Sequence, residues 1–303
     1  MPCYKPLNGY RAQSLTKNGK RKIAFSTSTG YRDLPVTVPC GQCIGCRLER
    51  SRQWAVRLMH EAQLHDLSVF LTLTYSDANL PPGGSLRKRD FQLFIKRLRK
   101  IHDGKIRYFH VGEYGDATRR PHYHAIIFGC DFADKTFWKK APSGEKLYIS
   151  ETLQRLWPLG DAYIGQVSIQ SAAYVARYCM KKITGEKANE HYKAVDLSTG
   201  EIHEIEPEYA TMSLKPGIGQ GWYDRYASDV FPSDYAVHKG KRLAVPKFYY
   251  RKLQVSDPKE AERIKWARVR RASKRKADST PERLAIREEV KLSQLKSLKR
   301  ELE

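Results

Sequence analysis

The sequence predicts an α+β fold in which helices pack on an antiparallel, twisted sheet of split βαβ type. Three observations lead to this prediction. Between residues 66 and 185, the apolar patterns follow the order strand, helix, two strands, short helix, strand and helix. The run Val69–Tyr75 is rich in β-branched and aromatic residues, which favour strands. Gly115–Pro121 carries the glycine, aspartate and proline typical of a hairpin loop. This order is that of a split βαβ sheet with helices on one face.

Each predicted element has a local signal in the chain. The predicted strands span residues 69–75, 106–114, 123–129 and 163–169. The predicted helices span residues 47–64, 90–101 and 171–183, with a short helix after residue 150. Asp90 and Ser150 are the predicted N-caps, because each carries a side-chain oxygen just before a helical apolar pattern.

The two ends of the chain differ in pattern from its middle. The first 38 residues are basic and polar, which predicts loops with one strand. Residues 184–250 are rich in Gly, Pro and Tyr and give no clear assignment. Ser279–Glu282 resembles a capping box at the start of a last helix. The chain therefore divides into a basic N-terminal segment with cysteines and a helix (1–65), a core (66–185), an irregular extension (186–255) and a basic helical tail (256–303).

The charge of the chain points to a polyanionic partner. Its 303 residues include 55 Lys+Arg and 33 Asp+Glu, a formal net charge of +22. Such an excess indicates nucleic acid or an acidic surface. No apolar run approaches the roughly 20 residues of a membrane-spanning helix, and the N-terminus lacks the apolar stretch of a signal peptide. We therefore expect no membrane partner and a reducing, cytoplasmic location, where cysteines are thiols or metal ligands.

His122 and His124 form a His-x-His pair on a predicted strand. Because side chains alternate along a strand, both imidazoles lie on one face. A hairpin centred near Ala117 and Thr118 is expected to place Glu113 across from His124, with His122 on the diagonal. Two imidazoles and a carboxylate leave open positions for water and a phosphate oxygen, which suits Mg²⁺ or Mn²⁺. A His-x-His pair by itself is also compatible with two half-exposed side chains that bind nothing.

Tyr174 and Tyr178 lie four residues apart on a predicted helix and therefore share one stripe. Lys181 falls on the same stripe, and Lys182 lies at its edge. Two phenols and an ammonium group on one face suit repeated phosphoryl transfer through a covalent tyrosine intermediate. The alternative is an amphipathic helix whose tyrosines pack on the sheet while its lysines are solvated.

Taken together, these motifs resemble the three ordered motifs of the HUH rolling-circle replication initiators. Phe70–Tyr75 matches the first motif, Gly112–Gly115 with Arg120–His124 the second, and Tyr174–Lys182 the third. The nearest resemblance is to the replication-associated proteins of single-stranded DNA microviruses, particularly the gokushovirus branch. The block Pro39–Arg47 is also similar to that branch.

The resemblance implies a role for each matched residue. It implies metal ligands at His122 and His124 with Glu113 as the third, paired nucleophiles at Tyr174 and Tyr178, and a supporting lysine at Lys181. The implied activity is a metal-dependent nickase and strand transferase acting at the origin of a circular DNA genome, single-stranded or nicked and double-stranded. One tyrosine forms a 5′-phosphotyrosine link, the free 3′-OH primes a host DNA polymerase, and the displaced strand is rejoined. Because the chain contains no P-loop motif, a helicase is expected from the bacterial host.

Cys40, Cys43 and Cys46 have the spacing of metal-binding thiolates, and Cys3 is a possible fourth ligand. No second Cys-x-x-Cys completes the common zinc-ribbon pattern. Structural Zn²⁺, reduced and partly buried thiols, and an iron–sulfur cluster all remain open from the sequence.

Several basic residues are candidates for contact with the DNA backbone, since phosphate contacts supply most sequence-independent affinity. These candidates are Arg47, Arg50, Arg120, Lys182, Arg270, Arg271 and Lys274. Two other functions remain open. One is an HUH transposase or relaxase with the same site, and the other is a non-enzymatic, zinc-dependent nucleic-acid-binding protein.

Overall fold

The computed structural model describes residues 3–17, 19–116, 118–141, 144–178, 187–195 and 199–297. By packing, the described residues form two compact units. The N-terminal unit contains the described residues of Met1–Arg50 and Lys265–Lys299. The larger unit contains those of Ser51–Ile264. The predicted site residues Lys181 and Lys182 lie outside the described part of the chain, as does the side chain of Tyr178.

The strands run in chain order from the N-terminal unit into the larger unit. They are β1 Leu7–Leu15, β2 Arg21–Ala24, β3 Gly30–Val38, β4 Ser68–Thr74, β5 Arg107–Tyr114, β6 Pro121–Phe128, β7 Thr136–Lys140, β8 Lys146–Ile149, β9 Ala162–Gln166, β10 Lys193–Val195, β11 Ile202–Glu204, β12 Tyr209–Met212, β13 Tyr235–His238 and β14 Lys241–Ala244. Strands β4 to β9 and β12 form a seven-stranded antiparallel sheet in the order β12-β5-β6-β4-β9-β8-β7. The predicted α+β class with an antiparallel sheet is confirmed.

The helices are α1 Ile44–Ala62, α2 Lys88–Ile101, α3 Glu151–Leu156, α4 Ile169–Tyr178, α5 Lys187–His191, α6 Gln220–Val230, α7 Lys247–Ser256, α8 Pro258–Ser273 and α9 Pro281–Ser297. None of these described helices is both long and apolar enough to span a bilayer. Ser150 caps α3 as predicted, because its Oγ accepts a hydrogen bond from Leu153 N–H at 3.1 Å. The prediction that Asp90 caps α2 is wrong. Asp90 lies inside the first turn, where its carboxylate accepts a hydrogen bond from the Tyr75 hydroxyl at 2.6 Å.

The N-terminal unit contains a sheet where the sequence predicted mostly loops. Strands β1, β2 and β3 pair antiparallel in the order β2-β1-β3. Most residues of β1 and β3 are exposed. Because backbone pairing, rather than an apolar face, makes this sheet, the hydrophobic alternation that predicts strands is absent.

The seven-stranded sheet is covered on both faces, which corrects the prediction that helices pack on one face only. Phe91 and Phe94 of α2 and Leu153 of α3 belong to the core on one face. The second half of α1 and helix α4 belong to the core on the other face. Helices occupy both sides because the central strands present buried residues on both faces of the sheet. Strands β5 and β6 are buried along nearly their whole length. The face covered by α1 and α4 is the one that also carries the candidate site, and it is called the site face below.

Candidate active site and metal centre

Residues paired across neighbouring strands build the candidate site in rows on the site face. One row runs from Glu113 on β5 through His122 on β6 to Thr74 on β4. The next row runs from His124 on β6 to Thr72 on β4. Directly paired residues share a sheet face, so these side chains project together. They line one cavity of about 660 Å³.

The observed register between β5 and β6 is offset by two residues from the predicted one. Glu113 pairs with His122, and Val111 pairs with His124. The prediction that Glu113 lies across from His124 is therefore wrong. The paired positions are centred between residues 117 and 118, and this centre sets position 113 opposite position 122. Glu113 nevertheless reaches His124 diagonally, with its Oε1 3.0 Å from His124 Nε2.

His124 is held at both ring nitrogens. Its Nδ1 lies 3.1 Å from Thr72 Oγ1, and its Nε2 lies 3.0 Å from Glu113 Oε1. Both His124 and Glu113 are buried. The contact between Nε2 and Oε1 is a hydrogen bond that Nε2–H donates to the carboxylate. A cation bound by both groups would take the place of that proton, and Nδ1–H would then donate to the Thr72 hydroxyl. The sequence predicted His124 and Glu113 as candidate ligands but not Thr72, whose pairing with His124 becomes visible only from the register.

His122 lines the same cavity, but its ring is turned toward Gly115. A Cβ at Gly115 would lie 2.9 Å from His122 Cε1, so glycine leaves room for this imidazole. Among the described residues, His122, His124 and Glu113 do not bring their ligand atoms within 4.8 Å of one another. The donor set of two imidazoles and one carboxylate fits Mg²⁺ or Mn²⁺ in chemistry. Binding through all three requires His122 to lie closer to the other two than it does here.

Helix α4 brings Tyr174 against the metal-ligand candidates. The Tyr174 ring meets the His124 ring edge to face with centroids 5.2 Å apart, and it meets Phe70 in the same way at 6.3 Å. Tyr174 is only 7% exposed and lines the same cavity as the two histidines. This packing places α4 against the strand that carries both histidines. Tyr178 is the last residue of α4.

Two serines fix where α4 begins. Ser168 N–H donates to Ser171 Oγ at 2.8 Å, and Ser171 N–H donates to Ser168 Oγ at 3.1 Å. This reciprocal pair satisfies backbone donors at the helix start, as a capping box does. Farther along, Ala172 and Val175 are fully buried in the core of the site face. Capping and burial together set the rotation of α4 that turns Tyr174 into the cavity.

The β7–β8 hairpin forms the opposite wall of the cavity, and the sequence did not predict it. Trp138 and Lys139 of β7 line this wall, together with Tyr163 of β9. All five residues of β7 are exposed. An exposed strand with no alternation gives no periodic signal, although the aromatic and lysine residues of Phe137–Lys140 were visible in the sequence.

The N-terminal unit holds four cysteines in one cluster: Cys3, Cys40, Cys43 and Cys46, all with free thiols. Their Sγ atoms all lie within 4.8 Å of one another. The Cys3 Sγ is 3.8 Å from that of Cys40 and 4.0 Å from that of Cys43. Tetrahedral zinc with Zn–S bonds of about 2.3 Å places sulfurs about 3.8 Å apart. The cluster can therefore hold a metal ion such as Zn²⁺, with Cys3 as the fourth donor.

Backbone donors surround these thiols. The N–H groups of Tyr4, Cys40 and Cys43 each point at a cysteine sulfur at 3.3 Å. Burial disfavours the Cys43 thiolate, but hydrogen bonds from Tyr4 and Cys46 outweigh it and lower the Cys43 pKa to about 7. Burial and the neighbouring thiols raise the Cys46 pKa to about 12. Of these two thiols, Cys43 therefore ionises the more readily, and a bound metal ion would stabilise both as thiolates.

The predicted DNA-contacting residues fall in different places. Arg50, Arg270, Arg271 and Lys274 are exposed in the N-terminal unit, and Arg47 is half-buried there. Arg120 in the larger unit is held by protein groups. Its guanidinium donates to Asp77 Oδ1 at 2.5 Å and to the Tyr75 carbonyl at 2.8 Å. Arg120 thus fixes the end of β4 next to the His122 row.

Comparison with known proteins identifies relatives of this chain. A family model described as Replication-associated protein ORF2/G2P matches residues 68–183. Replication-associated protein VP4 of Bdellovibrio phage phiMH2K is 35% identical over 259 residues, covering 82% of this chain and 76% of the relative. Replication-associated protein ORF2 of Spiroplasma virus 4 is 34% identical over 231 residues, covering 72% and 68%.

The chain therefore belongs to the family of phage replication-associated proteins, the replication initiators of microviruses. A third relative, Replication-associated protein ORF4 of Chlamydia phage 1, is 34% identical over 163 residues, covering 48% of this chain and 38% of that protein. No solved structure matches the chain.

Proposed function

We propose that this protein nicks one strand at the origin of a circular phage genome and becomes covalently joined to the DNA through a tyrosine. One observation carries the proposal: the buried Tyr174 ring packs on His124 in the cavity that His122 and Glu113 also line. A nucleophile, a cation-binding donor set and room for a phosphate thus occur together. Membership in the phage replication family supplies the biological setting.

The chain's own residues have separable tasks in this reaction. A divalent cation held by His122, His124 and Glu113 would polarise the scissile phosphate as a Lewis acid. With a cation on Nε2, His124 Nδ1–H would donate to Thr72 Oγ1, so that Thr72 would orient the imidazole. The Tyr174 phenol oxygen attacks phosphorus and loses its proton, the P–O3′ bond breaks, and the 3′-oxygen leaves and takes up a proton. The product is a 5′-phosphotyrosine link and a free 3′-OH.

Tyr178, which lies one helical turn after Tyr174 in the chain, is proposed to carry out the same step a second time. Four residues along an α-helix bring a side chain back to the same face. After one round of synthesis, Tyr178 would cleave the regenerated origin, and the freed 3′-OH would attack the first link and close the circle. We assign Lys181 to support the phenolate or neutralise the phosphate, on the basis of the family motif. Lys182 and the exposed arginines are assigned to the DNA backbone.

The proposed setting follows from the relatives. They are phage replication proteins, which favours a viral initiator over a transposase or relaxase. The free 3′-OH would prime a host DNA polymerase, and strand separation would fall to a host helicase. Both steps would occur in the bacterial cytoplasm, which is the proposed location of the protein.

The test is a covalent-transfer assay on labelled single-stranded DNA from the phage origin. The protein is incubated with Mn²⁺ or with EDTA, and adducts are resolved on a denaturing gel. We expect a metal-dependent protein–DNA adduct in the wild type. Tyr174→Phe and Tyr178→Phe are each expected to reduce it, and the double variant to abolish it. Tyr226→Phe, a change at an exposed tyrosine of α6 that does not line the cavity, is the matched control and is expected to retain the adduct.

A wild-type protein that binds the origin strand but forms no adduct would contradict the nickase. The remaining candidate would then be a zinc-dependent nucleic-acid-binding protein. The four-cysteine cluster is the observation that favours it.

A further inference from the structure

Opposite the histidines, the cavity wall is aromatic and basic. The Trp138 indole stacks on the Tyr163 ring, with centroids 4.6 Å apart and planes inclined by 10°. Trp138 remains 40% exposed. Lys139 Nζ lies 3.9 Å from the centroid of the indole, and Lys140 lines the same cavity. None of these four residues is needed for the proposed phosphoryl transfer.

The backbone directs Trp138 into this position. Phe137 pairs with Tyr148 and Lys139 pairs with Leu147, so Trp138 is an extra residue in β7 without a partner in the β7–β8 register. Such a β-bulge bends a strand and redirects a side chain, and bulges are frequent next to active sites. Phe137, one residue earlier, packs edge to face on Tyr148 and does not line the cavity.

The distance from the stacked pair to the metal-ligand candidates follows from the register. Tyr163 on β9 pairs with Thr72 on β4, which pairs with His124 on β6. Two strand spacings of about 4.8 Å put Tyr163 about 10 Å from His124 along the row. A nucleotide next to the scissile phosphate can span that separation without leaving the cavity.

We propose that Trp138 and Tyr163 form a stacking platform for a base of single-stranded DNA that flanks the scissile phosphate, with Lys139 and Lys140 holding its backbone. The position of the bound base next to the scissile phosphate rests on the proposed nickase, whereas the binding of single-stranded DNA does not. Aromatic rings stack on every base, and lysines meet phosphates, which is how proteins bind single strands. In the part of the chain that the structure describes, neither lysine forms an ion pair with a carboxylate.

The ammonium of Lys139 and an incoming base compete for the same ring, and the lysine is the mobile partner. Its long stem rotates freely, whereas the indole is fixed against Tyr163. A base that stacks on Trp138 therefore displaces the ammonium toward its own phosphate. Lys139 then contributes to binding by pairing with the phosphate of the bound nucleotide.

The test measures binding of the full chain to a short fluorescein-labelled oligothymidylate in buffer without added Mg²⁺ or Mn²⁺, where the proposed cleavage does not run. Removing the aromatic partner of one stacked base lowers affinity by about 5- to 100-fold. We expect this decrease for Trp138→Leu, a smaller one for Trp138→Phe, which keeps a ring, and less than about a twofold change for the matched control Phe137→Leu. Replacing Lys139 and Lys140 by Gln should lower the log–log salt slope by about 0.7 for each phosphate that the protein no longer neutralises.

Equal binding by Trp138→Leu and Phe137→Leu, with both proteins folded by circular dichroism, would overturn the platform. Crosslinking of a 5-iododeoxyuridine oligonucleotide provides a second measurement that does not depend on a substitution. We expect crosslinks at Trp138, and crosslinks confined to other residues would contradict the proposal. The adduct assay separates the two proposals, because Trp138-dependent binding without an adduct would retain the platform and reject the nickase.

Discussion

The ring of Tyr174 meets the ring of His124 edge to face, with centroids 5.2 Å apart. This contact joins helix α4 to strand β6 at the point where, in the proposed reaction, the phenol oxygen and a bound cation would share one phosphate. The ring therefore has two roles. It packs the core of the site face, and it carries the proposed nucleophile.

The two roles of Tyr174 can be separated by substitution. Tyr174→Phe keeps the ring and should change the free energy of unfolding by only about 1 kcal/mol, through removal of the hydroxyl. Tyr174→Ala should cost about 3 kcal/mol or more, because it removes a buried ring. Both should reduce adduct formation. Urea denaturation and the adduct gel measure the two effects, and a Tyr174→Phe protein with full adduct yield would exclude Tyr174 as an essential nucleophile.

Thr72 should increase the affinity of the site for a cation, although it does not contact the cation itself. Thr72→Val removes the hydroxyl that holds His124 Nδ1 at 3.1 Å. Loss of such a supporting hydrogen bond typically weakens metal binding by about 10- to 100-fold. Thr74→Val is the matched control, since Thr74 Oγ1 donates to the Asp161 carbonyl and pairs with His122 instead. Mn²⁺ titration by isothermal calorimetry would show the difference, and equal affinities for the two variants would argue against a positioning role.

The cysteine cluster should bind one zinc ion per chain. We expect protein purified under reducing conditions to contain one equivalent by elemental analysis, and Cys43→Ser to lose most of it. Cys130→Ser is the control, because Cys130 is a buried thiol outside the cluster. A chelator should lower the thermal stability of the wild type, since metal binding contributes to folding. Zinc-free protein with unchanged stability would favour simple buried thiols.

Stability should fall as the pH drops below neutral because of His60. Its ring is stacked on Trp222 at 3.6 Å, and burial, with a smaller contribution from His238, lowers its pKa to about 4. The unfolded chain takes up the proton near pH 6.5, whereas the folded chain does so only near pH 4, so protonation favours unfolding between these values. The loss from pH 7 to pH 5 is about 2 kcal/mol.

The substitution His60→Asn should reduce the difference in the free energy of unfolding between pH 7 and pH 5. Urea denaturation at pH 7 and at pH 5 gives the comparison. The buried His110, whose pKa burial also lowers, contributes in the same direction, so some slope should remain in the variant. A variant with the full wild-type slope would show that His60 is not the responsible group.

The sequence predicted the central elements well because their apolar periodicity is strong. The order of strands and helices from β4 to α4 follows directly from runs such as Val69–Leu73, apart from the β7–β8 hairpin. Placement of His122 and His124 on one face required only strand alternation. Cys3 was a possible fourth donor, and the structure brings it to the other three cysteines.

Other features depend on information that a linear pattern does not contain. Thr72 is remote in sequence from His124 and becomes its neighbour only through β4–β6 pairing. Trp138 faces the cavity because of a one-residue bulge, which no periodicity indicates. The N-terminal sheet is stabilised by backbone pairing between mostly exposed strands, so hydrophobicity gave no signal for it.

The alternation of side chains along strand β6 limits which insertions and deletions such proteins can accept. Tyr123 and Ala125 pack into one core while His122 and His124 face the other side. Inserting or deleting one residue inside β6 would exchange these two sets at once, burying imidazoles in the wrong core. We therefore expect length differences among these phage proteins to avoid β6. The β7–β8 hairpin lies at the sheet edge, where a change of length leaves the pairing of β4, β5 and β6 intact, so we expect such differences to occur there.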